Sequence, residues 1–184
     1  MPAFGHVLQL WLFLTFLPND LLGKFVFDIQ DNFLQCNPDT PLPAVNLSDF
    51  QFTEMEGGDT MQVSGNVLFV KEYGGFVRLD LHSQRLLRGT WGEGEISRSE
   101  ANLCAKLQFP MEPWYPITKH FQQKSCPFKA GHLETLPLVE LDDFGVRLPA
   151  QFEGDWKFFF EFSLNRQGKA VKECVLVQAT VVEV

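Results

Sequence analysis

The sequence predicts an all-β fold: a two-sheet antiparallel sandwich with one short helix. Three observations predict it. Apolar residues recur at every second position over most of the chain, the period of a strand with one buried face. Clusters of Gly, Pro, Asn and Asp divide those runs at the spacing of a sandwich. The composition has 19 Phe against 2 Tyr, a ring without a polar handle that suits a dry interior, whether filled or hollow.

The chain has 184 residues, enough for one domain with a sizeable core. Residues 7–17 read Val-Leu-Gln-Leu-Trp-Leu-Phe-Leu-Thr-Phe-Leu, too short to span a bilayer but of the length of a signal-peptide core. Residues 1–23 are therefore expected to be a signal peptide and 24–184 a single secreted domain. The flank before the run holds His6 and no Lys or Arg.

Phe25-Val26-Phe27-Asp28-Ile29 alternates as a first strand, with Phe25, Phe27 and Ile29 on one face. Cys36 follows in a turn-rich stretch with Pro38, Pro41 and Pro43. Phe50-Gln51-Phe52-Thr53-Glu54 alternates again before the turn signal Gly57-Gly58-Asp59. Over 61–69, Met61, Val63, Val67 and Phe69 share a face, and Gly65 marks a bulge. Tyr73-Gly74-Gly75 reads as a tight hairpin into a strand over 76–82, with Val77, Leu79 and Leu81 inward and Arg78, Asp80 and His82 in water. Residues 86–91 continue as strand until Gly92-Glu93-Gly94-Glu95 breaks the pattern. Ser97-Arg98-Ser99-Glu100 fits a capping box and predicts a helix over 98–107, carrying Cys104 and ended by Pro110.

From 110 to 131 no period survives. Trp114, Tyr115, Ile117 and Phe121 stand among prolines and lysines on a loop, where large apolar groups need a reason. Either they fold onto the core, or they form a rim that touches a lipid or membrane interface, where Trp and Tyr are favoured. Strands are expected over 133–141 and 144–148, around a solvated Asp142-Asp143 turn. The clearest alternation comes next: Trp156, Phe158, Phe160, Phe162 and Leu164 on one face, Lys157, Phe159, Glu161 and Ser163 on the other. The turn 165–169 and a β-branched strand over 170–184 with Cys174 complete about eight strands.

The formal net charge is -8 with no basic run, which excludes a nucleic-acid backbone as partner. No Gly-x-Ser-x-Gly elbow, His-Glu-x-x-His helix or Gly-rich phosphate loop occurs. His82, His120 and His132 are scattered, and Cys126 between the last two cannot attack once it is oxidised. No catalytic set, metal site or cofactor is expected, and the protein is read as a non-enzyme. Cys36, Cys104, Cys126 and Cys174 all follow the expected cleavage point, so two disulfides are the default in an oxidising compartment, with three pairings open. Asn46-Leu47-Ser48 is an acceptor for N-glycosylation.

Ser125-Cys126-Pro127-Phe128-Lys129-Ala130-Gly131 resembles a segment of the ganglioside activators of the ML lipid-recognition superfamily. The likeness extends to Cys36 after a first strand, to Asn102-Leu103-Cys104 before Pro110, and to the last strand from Cys174 to Ala179. Glu112-Pro113-Trp114-Tyr115 ahead of that segment is also similar to the insect chemosensory group called CheB. The resemblance implies an ML-like β-cup, a two-sheet antiparallel sandwich with an internal apolar cavity that holds acyl chains between splayed sheets. It also implies the pairings Cys36 with Cys174 and Cys104 with Cys126. The cavity wall is then expected at Phe69, Leu79, Trp156, Phe158, Phe160 and Phe162, and the rim at Trp114, Tyr115, Ile117 and Phe121. The function so implied is a secreted carrier or presenter of a lipid or other hydrophobic small molecule, in pheromone response, with transient membrane-surface contact. The alternatives are a filled module acting on a receptor or channel partner, and an activator that lifts lipid for a hydrolase.

Overall fold

The computed structural model describes residues 25–47, 49–54, 61–141 and 150–183. The expected signal peptide over 1–23, the turn at 57–59, the Asp142-Asp143 pair and the strand over 144–148 lie outside the described residues. The strands and helices are β1 (Phe25–Gln35), β2 (Val45–Asn46), β3 (Gln51–Glu54), β4 (Met61–Phe69), β5 (Val77–Leu87), β6 (Thr90–Glu93), β7 (Arg98–Glu100), α1 (Leu103–Lys106), α2 (Tyr115–Thr118), β8 (Leu133–Leu141), β9 (Gly154–Arg166) and β10 (Lys169–Glu183).

Two antiparallel sheets carry these strands. One runs β1-β10-β9-β5-β6, with β7 on the same edge of β5 as β6; the other runs β2-β4-β3, with β8 on the opposite side of β4. The long pair β9–β10 is its backbone. Trp156 lies opposite Ala179, Phe160 opposite Val175 and Phe162 opposite Glu173. Opposed residues of an antiparallel pair share a face, so the aromatic row of β9 faces inward beside a row of small and β-branched residues on β10. Their turn holds Gln167 and Gly168 at φ 53° and 80°, the left-handed pair that matches strand twist.

Three expectations about local structure are corrected. Tyr73-Gly74-Gly75 is not a hairpin, because β4 and β5 belong to different sheets; this segment crosses between them, and Tyr73 bridges to Phe128 instead. The tight hairpin falls within the run read as continuous strand: Leu87 pairs with Thr90 around Arg88 and Gly89 at φ 53° and 79°. Ser97 to Glu100 is no capping box. Residues 98–100 pair with β5, and Asn102 caps α1 by accepting the Ala105 N–H at 3.3 Å. Glu100 is drawn into the strand edge because Lys106 meets its carboxylate there, at 2.6 Å. Gly65 does sit at a register shift, with φ 127° and an added Cβ only 2.1 Å from the Asp49 carbonyl oxygen.

Packing divides the sandwich into a filled half and a hollow half. In the filled half Trp156 and Val181 are 0% exposed, Phe152 stacks on Trp156 at 5.7 Å, and Phe27 meets Phe158 edge-on at 5.8 Å. Gly94 is needed here, since a Cβ on it would lie 2.8 Å from Trp156 Cζ3 and 2.4 Å from Ser83 Oγ. The Met61, Val63, Val139 and Leu141 cluster extends this packing in the second sheet. Two disulfides, Cys36–Cys174 and Cys104–Cys126, have Cα separations of 5.8 and 5.7 Å. They match an oxidising compartment.

Candidate functional site

The hollow half holds a partly open cavity of about 300 Å³, at the lower end of the range of small-molecule sites. One wall is Val77 and Leu79 from β5 with Phe160 and Phe162 from β9; Val45 and Phe69 face them from the other sheet. The roof is the segment between α1 and β8, which contributes Leu107, Trp114, Thr118, Phe121 and Phe128. Phe69 stacks on Phe128 at 4.4 Å, and Phe121 meets Phe128 edge-on at 6.0 Å. Rings interlocked in this way hold a wall in place without filling the space it encloses.

Three lining side chains carry a nitrogen or oxygen, and all three are committed. Trp114 Nε1 donates to the Lys106 carbonyl at 3.1 Å, and Thr118 Oγ1 donates to the Leu107 carbonyl at 2.6 Å. The Tyr73 hydroxyl donates to Glu173 Oε2 and accepts the Ala44 N–H at 2.8 Å. The lining is therefore apolar, and a cavity of that character takes apolar molecules.

Of the residues expected on the cavity wall, Phe69, Leu79, Phe160 and Phe162 line it. Trp156 and Phe158 do not. They keep the inward face read for them, but Phe152 and Phe27 fill the space beside them. Of the two readings open for the rim residues, folding onto the core fits Trp114, Ile117 and Phe121. Trp114 and Phe121 line the cavity from above, Phe121 and Ile117 pack into the core, and Tyr115 is half-buried on α2. Large apolar groups presented to solvent include Met111, 92% exposed, and Phe109, 52%, in the same segment, and Phe76, 77%, beside the lining residue Val77. Asn46 is exposed on β2.

Charged side chains fasten the roof. Arg98 pairs with Glu112 and stacks over Trp114 at 5.4 Å, while Lys106 bridges Glu100 and Glu112 at 2.6 and 3.7 Å. The Lys106 bond and then the Asn102 N–H hold the Glu100 carboxyl below the usual range. On the other side Glu134, 0% exposed, accepts the Gln123 N–H at 2.9 Å and contacts His132 Nε2 at 2.6 Å. It thereby ties the chain after Phe121 to β8.

A second buried group was not foreseen. Arg166 and Glu173 lie beside Tyr73, behind the cavity lining, with Arg166 Nη1 donating to Glu173 Oε1 at 2.8 Å. Burial first, and then the bond to Glu173, push the Tyr73 pKa upward, so the phenol stays protonated. The signal was present in parity: Arg166 continues the even-numbered face of β9, and Glu173 lies opposite Phe162. Among the described residues no group of three or more His, Cys, Asp or Glu is arranged to hold a metal ion. Cys126 is in a disulfide, and His82 lies on the outer face, stacked on Phe159 at 4.7 Å.

Fold and cavity together define a disulfide-linked antiparallel β-sandwich with a partly open apolar site between its sheets. Comparison with protein-family models and with curated proteins found no match.

Proposed function

We propose that this protein is a secreted, non-enzymatic carrier of a lipid or other hydrophobic small molecule. The observation that carries the reading is the cavity between Phe69, Leu79, Phe160 and Phe162, in which every polar lining side chain is already satisfied. Each buried methylene contributes about 0.8 kcal/mol, so a tail of several carbons binds without a directed contact. The likeness of Cys126 to Gly131 to the ML activators supports the same reading, and that of the Trp114 region to the CheB group is what suggests a role in chemosensation. A hollow half argues against the filled receptor-binding module.

The experiment is to isolate the protein from a secreting host and extract it for mass spectrometry, then titrate the stripped protein with a fluorescent fatty acid. Co-purifying lipid or saturable binding is expected; a lipid-free protein that also ignores the probe sinks the reading. Exposed Phe109, Met111 and Phe76 favour a second version, in which the carrier lifts its lipid from a membrane for a hydrolase. In that version Phe109→Ser with Met111→Ser abolishes vesicle binding and leaves probe affinity unchanged.

A further inference from the structure

On the large sheet the cavity wall runs from Val77 and Leu79 of β5 to Phe162 and Phe160 of β9 and stops there. The next inward residue of β9 is Phe158, which is not part of the wall: it stacks on Trp156 at 6.0 Å and meets Phe27 at 5.8 Å. Its ring ends the cavity. At the other end Tyr73 is pinned by Glu173 and by the Ala44 N–H at 2.8 Å. Above, the Cys104–Cys126 bond, the Lys106–Glu100 pair at 2.6 Å and the Phe69–Phe128 stack at 4.4 Å hold the roof at its height. Between these limits lies a space of about 300 Å³. A water molecule takes about 30 Å³ of its liquid, and a methylene is of similar size. Resting on the carrier reading, we propose that the cavity takes a single unbranched chain of about ten carbons and leaves the head group, and any second chain, outside.

Chemistry keeps the head at the opening. The Trp114, Thr118 and Tyr73 side chains are already bonded to protein partners, so a polar group drawn inside would lose its water and find nothing in exchange. Volume does the rest. Each methylene that enters raises affinity about fourfold, whereas carbons beyond the limit stay in water and add little. The ligand class is thus the medium-length single-chain lipid, and a two-chain membrane lipid gains nothing from its second chain.

The test measures hexanoate, octanoate, decanoate, dodecanoate, tetradecanoate and hexadecanoate by competition against a bound fluorescent fatty acid, with light scattering to keep each acid monomeric. Affinity is expected to rise about fourfold per carbon as far as decanoate or dodecanoate and then to flatten. Phe158→Ala removes the ring that ends the cavity and should move the break to longer chains. Leu79→Phe fills part of the space and should move it to shorter ones. A break set by the solubility of the acids would stay where it was in both. Affinity that keeps climbing through hexadecanoate, or a break that neither substitution moves, overturns the length limit alone. The series on the unmodified protein decides the matter even if a variant does not fold, since a continued climb refutes the limit and a break near decanoate upholds it. A fluorescent fatty acid that does not bind at all overturns the carrier reading and the limit with it.

Discussion

Cys104 and Cys126 are bonded to each other and both line the cavity, so a single covalent link closes the segment that carries Trp114, Thr118 and Phe121. The roof is thereby a 22-residue loop in sequence separation, with its ends fastened at the hollow half of the sandwich. Stability and binding meet at this bond.

Replacing Cys104 and Cys126 together by Ala is expected to cost roughly 3 kcal/mol by loop-closure entropy and to weaken probe binding. The Cys36–Cys174 link, closing 138 residues, is worth roughly 5 kcal/mol on the same scale. Urea denaturation with and without reductant measures both. A roof variant as stable as the parent, with unchanged affinity, would show that the bond does not hold the roof in place.

The two halves of the sandwich should answer differently to substitution. Leu79→Trp pushes a larger ring into the cavity; probe affinity should fall by more than about tenfold, with a stability change within the roughly 1–3 kcal/mol of overpacking. Trp156→Ala, in the filled half, is expected to cost roughly 3–5 kcal/mol. Calorimetry and probe titration separate them, and retained affinity in Leu79→Trp counts against the cavity as the binding site.

Gly94→Ala tests the close approach over Trp156. The new methyl would lie 2.4 Å from Ser83 Oγ and 2.8 Å from the Trp156 ring, so β6 must lift from β5. A loss of about 1–3 kcal/mol is expected, read from the shift in denaturation midpoint. A neutral result would mean that the crossing is looser than described.

Acid should destabilise the fold in two stages. Burial, and then Lys119 and Lys124, lower the His120 pKa from 6.5. The unfolded chain then binds the proton first, and stability begins to fall below about pH 6.5. Glu100 is lowered from 4.5 by Lys106 and then Asn102, and Asp80 from 3.8 by Arg78 and then Ser99. Their contributions are complete above those ordinary values and vanish as pH drops through the folded ones. Stability followed against pH should lose its upper step in His120→Gln and part of its lower step in Glu100→Gln; steps that persist in both variants refute the assignment.

Much of the architecture is legible in the residues. The period of two across 25–29, 61–69, 77–81 and 156–164 identifies the inward faces, because a strand alternates sides whatever its partners are. Errors cluster where a local signal competes with a distant partner. Tyr73-Gly74-Gly75 has hairpin chemistry, but Phe128, far along the chain, takes up the Tyr73 backbone at 2.9 and 2.7 Å. Ser97 to Glu100 has capping chemistry, but the edge of β5 offers a ladder of hydrogen bonds, and Lys106 secures Glu100 against it.

The amino-acid sequence alone determined the inward row from Trp156 to Leu164, because alternation is a local property of the chain. Which part of that row faces a cavity was decided only by the tertiary structure. Phe152 and Phe27 close over Trp156 and Phe158, while a disulfide-bonded roof spans Phe160 and Phe162 without descending between them. Whether a wall is packed or bare depends on what arrives from the opposite layer, and no spacing along one strand records that.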